Sequence, residues 1–109
     1  MANPFRGEVA IGIAGQSTVM RLTLGALCAL EAALDDGSIA ALVARFESGD
    51  VRMREVMAVL AAGLRGAGHD EQATTLADQP VDGGAGEAMR LAALLLRVTF
   101  APPGEEASV

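Results

Sequence analysis

Two periods of hydrophobicity divide this chain. Along Glu8–Ala14 the apolar residues alternate, with Val9, Ile11 and Ile13 pointing one way and Glu8, Ala10, Gly12 and Ala14 the other. Ser17–Leu24 alternates as well, with Met20, Leu22 and Leu24 on one face and Val19, Arg21 and Thr23 opposite. Period two is the mark of a strand. Gly15–Gln16 between the two runs predicts a tight turn, because glycine takes φ > 0 without steric cost. The pair is a β-hairpin over residues 8–24. A lone hairpin is marginal in water, so its apolar face must pack on helices.

After Thr23 the period changes to that of a helix. Leu24, Leu27, Leu30 and Leu34 follow helical spacing, and Thr23 is a good N-cap. This predicts a helix over about 24–35, ended by "DDG" at Asp35–Gly37. Ser38 caps a second helix over 39–48, with Ile39, Leu42, Val43 and Phe46 on one side and Gly49 closing it. A third spans about 53–65 with the stripe Val56, Leu60, Leu64 and Val59 beside it. Gly63 near its end suits close helix packing or a C-terminal cap. Asp70 is expected to cap a short helix over 70–77. "DQPVDGGAGE" is a loop by its Pro and Gly content. The last helix covers about 86–100, with Met89, Ala93, Leu96 and Phe100 on one face and Leu91, Leu94, Leu95 and Val98 widening it. A helix that apolar is either central or covered by a partner.

The fold class is therefore α+β and mostly helical, an N-terminal β-hairpin packed on a bundle of four to five short helices. Residues 1–100 form one globular domain, and 101–109 are expected to be a disordered acidic tail. Composition sharpens this. The chain has 109 residues, 51% of them hydrophobic, with three Phe and no Trp or Tyr. Its core must come from Ala, Leu, Val, Ile and Met, which favours helices. The net charge is −6, and all eight basic residues are Arg. An acidic surface argues against nucleic-acid binding, which needs a basic patch. Without Lys there is no Schiff-base or Walker A chemistry. No apolar run approaches a membrane span, the N-terminus lacks the pattern of a secretory signal, and one cysteine fits a reducing cytoplasm.

Candidate chemistry is sparse. Cys28, the only cysteine, has no His, Lys or Arg nearby in sequence to stabilise a thiolate, so it is expected to be a small buried core residue. His69 in "HDE" lacks a second His or Cys at metal-ligand spacing. "GIAGQS" leads into a strand rather than a helix, and "GGAGE" lacks the phosphate-binding lysine. No catalytic, cofactor or metal site is expected. Arg52 and Arg54 flank Met53 at the start of the third helix, where positive charge opposes the helix dipole. Met57 shares a face with Met53. A Met–Arg surface suits protein recognition, so Arg52, Met53, Arg54 and Met57, with Leu91, Leu94 and Leu95 of the last helix, are the candidate partner-binding residues.

"RGEV", "MRLTLGALCALE" and "GLRGAG" resemble the small tail protein of bacterial gene transfer agents, phage-like particles that package host DNA. The resemblance spans residues 3–100 and is specific over the first 65. That family is labelled both as a tail tube protein and as part of the phage tail assembly chaperones. It implies no catalytic or cofactor residues. Where such sequences often have a capping Ser or Thr this chain has Arg52, so Asp50 is expected to cap. The resemblance implies a tail morphogenesis protein in the cytoplasm, first as a chaperone binding the tape measure protein. The alternatives are a structural tube component within the particle and, remotely, an unrelated helical interaction domain. Tube subunits usually carry larger β-sheets than one hairpin. Partners would be the tape measure protein, other tail proteins or further copies of the chain, with no nucleic acid and no membrane.

Overall fold

The computed structural model describes residues 2–34 and 38–100. A 3-10 turn at Pro4–Arg6 leads into strands β1 (Glu8–Ile13) and β2 (Gln16–Arg21). Helices α1 (Leu24–Ala33), α2 (Ile39–Ser48), α3 (Met53–Gly66) and α4 (Asp70–Thr75) follow, then a 3-10 turn at Leu76–Asp78 and helix α5 (Gly84–Phe100). The mostly helical α+β class expected from the sequence is what the chain adopts. The expected break at Asp35–Gly37 and the acidic tail at 101–109 lie outside the described residues.

β1 and β2 pair antiparallel, with Val9 opposite Met20, Ile11 opposite Thr18 and Ile13 opposite Gln16. The turn is Ala14–Gly15, one residue earlier than the expected Gly15–Gln16. Both turn residues have positive φ, 52° and 82°, as a two-residue hairpin turn of matching twist requires. Val9, Ile11, Ile13, Thr18, Met20 and Leu22 are buried on one face. Leu24 is not part of that face. Pairing stops at Arg21, Thr23 accepts a hydrogen bond from the Ala26 amide and starts α1, and Leu24 is left 82% exposed.

α3 is the centre of the fold and packs against β2, α1, α4 and α5. Its stripe Val56, Val59, Leu60 and Leu64 is fully buried. Two of its glycines are there for contact. A Cβ on Gly63 would lie 2.5 Å from Leu95 Cδ2 of α5, and one on Gly66 would lie 1.9 Å from the Arg21 carbonyl oxygen. α5 lays Leu91, Ala92, Leu95, Leu96 and Val98 into the same core.

The ends of the helices follow local chemistry, with two corrections. Ser38 caps α2 through the Ala41 amide, and Gly49 closes it at φ 80°. Asp50 does not cap α3. Arg52 occupies the cap position without a capping side chain, and Glu55 reaches back to accept from the Arg52 amide at 3.0 Å. This is half of a capping box, in which the acidic member alone satisfies a donor. Asp70 does not cap α4 either. It is the first helical residue, and His69 holds the cap position with no side-chain hydrogen bond.

The loop before α5 is more ordered than its composition suggests. Val81 forms a β-bridge with Ile13, the Ala14 amide donates to the Pro80 carbonyl, and the Asp82 amide donates to the Gly12 carbonyl. The Asp82 carboxylate accepts from the Gly15 amide at 3.1 Å. Gly12 makes this approach possible, since a Cβ there would lie 2.5 Å from Asp82 Oδ2. The loop closes the outer edge of β1 near the hairpin tip, and α5 begins at Gly84, two residues before the expected start.

Candidate functional site

Two surface depressions flank α2, one on each side. The first is a groove of about 330 Å³ between α2 and α5, lined by Val43, Phe46 and Glu47 from one helix and Ala93, Leu96, Arg97 and Phe100 from the other. The spacing explains the lining. Positions 93, 96, 97 and 100 form one strip of α5, and 43, 46 and 47 form one of α2. Two of the chain's three Phe meet here. Phe100 is 50% exposed at the mouth, while Val43 and Phe46 are half-buried against the core. The walls are apolar, and Glu47 and Arg97 supply one charge of each sign.

The second is a cleft of about 430 Å³ at the start of α3, lined by Ala33, Leu34, Arg45, Arg52, Arg54, Glu55 and Ala58. Glu55 organises it. Its carboxylate pairs with the Arg45 guanidinium, with Arg45 Nε to Oε1 at 3.3 Å and a second contact from Nη2 to Oε2. It is 8% exposed. The hydrogen bond from Arg45 holds its carboxyl below the usual carboxylate value against the opposing effect of burial, and the Arg52 amide helps. The pair ties α2 to the first turn of α3.

The candidate partner-binding residues divide into three groups. Arg52 and Arg54 line the cleft, with exposed Met53 between them in the chain. Met57 and Leu94 are half-buried and pack against the core. Leu91 and Leu95 are core residues on the α3-facing side of α5, and Leu95 is fully buried. They are therefore not available as a surface. The strip of α5 that borders the groove runs through Ala93, Leu96 and Phe100. Leu96 itself is buried, so Ala93 and Phe100 carry its accessible part. The sequence marks this face but does not distinguish it from the inward one.

Cys28 is exposed on α1, not in the core as expected. α1 buries only Ala26 and Leu30, and Cys28 falls on the other side. Among the described residues no group of His, Cys, Asp and Glu is placed to hold a metal ion. No described helix is long and apolar enough to cross a membrane.

Of the comparisons with known proteins, one finds a match. A family model described as "Phage tail tube protein, GTA-gp10" matches residues 6–102. No curated protein and no solved structure matches the chain.

Proposed function

The chain belongs to the gene transfer agent phage tail tube protein family, and on that footing we propose that it serves tail assembly as a chaperone, holding an amphipathic helical segment of the tape measure protein until the tube forms. The observation that supports this reading is the open groove between α2 and α5. A groove between two helices, apolar along its walls and charged at its rim, suits the apolar face of a third helix. Glu47 and Arg97 would set its direction by pairing with opposite charges on its polar flanks.

The sheet content favours the same side. A ring of subunits joined through β-sheet draws several strands from each copy. Here the described residues hold two strands and one bridge, and part of the β1 edge is already taken by the Val81 loop.

The test is co-expression with the tape measure protein and recovery of a complex. Val43→Glu and Phe100→Glu place charge in the groove at half-buried and exposed positions. Each is expected to reduce binding by about tenfold or more while the circular dichroism spectrum is kept. Mass spectrometry of purified particles decides the alternative. Stoichiometric presence in mature tails would make the chain a tube component, and the chaperone reading would fail.

A further inference from the structure

The geometry points to a second binding surface independent of the groove: the cleft of Arg45, Arg52 and Arg54 takes an acidic, carboxylate-bearing segment of a partner protein. α2 separates the two depressions, since Phe46 faces the groove and Arg45, its neighbour in sequence, faces the cleft. Among the described residues, three of the eight arginines of an acidic chain line this one site, against the one carboxylate of Glu55. Glu55 is committed to Arg45 and to the Arg52 amide. Arg45 and Arg54 each make contacts within the chain. The site does not require an unpaired guanidinium, because each offers five donors and a carboxylate engages about two of them.

Arg52 and Arg54 are also poorly placed for the fold itself. They sit at the positive end of the α3 dipole, where carboxylates are the stabilising groups. A bound acidic side chain would reverse that effect. The remaining lining, Ala33, Leu34 and Ala58, is small and apolar, suited to the methylenes of a Glu or Asp side chain. Among the described residues no aromatic side chain lines the cleft to stack on a base, and a long polyanion would meet the net charge of −6 beyond it. These features favour a short acidic peptide over nucleic acid.

Two acidic pairs of this chain compete in principle. Asp35 and Asp36 follow the lining residue Leu34 in sequence, and Glu105 and Glu106 lie farther on.

The experiment titrates the full chain with a labelled hexaglutamate peptide, reading fluorescence anisotropy and the amide shifts of Leu34, Val56 and Ala58. Saturable binding that shifts those amides is expected. It should weaken roughly tenfold in R52Q/R54Q and fall as salt rises from about 50 to 200 mM. R6Q/R65Q, which removes equal charge at exposed positions outside both depressions, should bind as the parent does, and thermal melts check that both double variants are folded. Absence of saturable binding, or equal loss in both double variants, would overturn the proposal. So would a single-stranded oligonucleotide that displaces the peptide through the same amides. D35N/D36N and E105Q/E106Q should leave affinity unchanged. A tenfold gain in either would assign the cleft to the chain's own acids rather than to a partner. Because the readout is a peptide and not a tail protein, its outcome is separate from that of the groove.

Discussion

Glu55 is the residue on which the most local chemistry converges. It ends the orphan status of one α3 amide, pairs with Arg45 across to α2, and is nearly buried while doing so. Removing its charge leaves Arg45 without its carboxylate in a partly shielded site, so Glu55→Gln is expected to cost about 1–3 kcal/mol, read from urea midpoints. The pH dependence follows from the lowered carboxyl value. The unfolded chain takes up this proton more readily than the folded one, so the stabilisation is full above the ordinary value of 4.5 and is lost as pH falls through the lower folded value. The midpoint of the parent should therefore fall on acidification below pH 4.5, and that of Glu55→Gln should fall less. Glu87 is also lowered, chiefly by its hydrogen bonds from Arg90, but that pair lies at the surface and adds little. Cys28 gives the opposite case. Being exposed, it is expected to react with a maleimide in the native chain, and Cys28→Ala should change stability by less than about 0.5 kcal/mol. A buried cysteine would resist the reagent and cost more to remove. The sequence could not place it, because α1 carries Glu31 as its one charged residue and no polar side to mark which face is out.

At the scale of elements, α3 is a helix fitted by glycine. Gly63 and Gly66 lie one turn apart and meet different neighbours. At Gly63 the nearest atom is the tip of a leucine, which can rotate, although Met20 Cβ stands behind it at 3.0 Å. At Gly66 it is a backbone carbonyl, which cannot move without shifting the end of β2. Gly63→Ala is thus expected to cost about 1–3 kcal/mol and Gly66→Ala about 3 kcal/mol or more, seen as ordered losses in melting temperature. Equal losses would mean that the approach of α3 to β2 is looser than described. Some helix ends were legible in the sequence because local capping sets them: Thr23, Ser38 and Gly49 act as their residue types suggest, whereas Asp50 and Asp70 do not cap α3 and α4. What was not legible came from distant pairing. The bond from Gly15 to Asp82 joins positions 67 apart, and no local pattern in "DQPVDGGAGE" announces a bridge to Ile13. The same limit hid the sides of α5. Its wide apolar surface is readable, but only the position of α3 decides that Leu91 and Leu95 face inward while Ala93 and Phe100 border a groove.

At the scale of the whole molecule, the sheet sets how copies of the chain can meet. An open strand edge is an invitation to pair with another copy. Near the hairpin tip β1 has lost that freedom. Val81 bridges Ile13, the Asp82 amide occupies the Gly12 carbonyl, and the Asp82 carboxylate holds the Gly15 amide. Self-repulsion from a net charge of −6 works in the same direction at low salt. The purified chain is therefore expected to sediment as one small species over a roughly hundredfold range of concentration, with no rings or filaments in negative stain. Asp82→Ala provides the contrast. It removes the carboxylate's hold on the hairpin tip, and if the loop is what blocks the edge, this variant should self-associate where the parent does not. Rings formed by the parent chain alone would show that its assembly uses surfaces other than the β1 edge, and would favour the tube component over the chaperone.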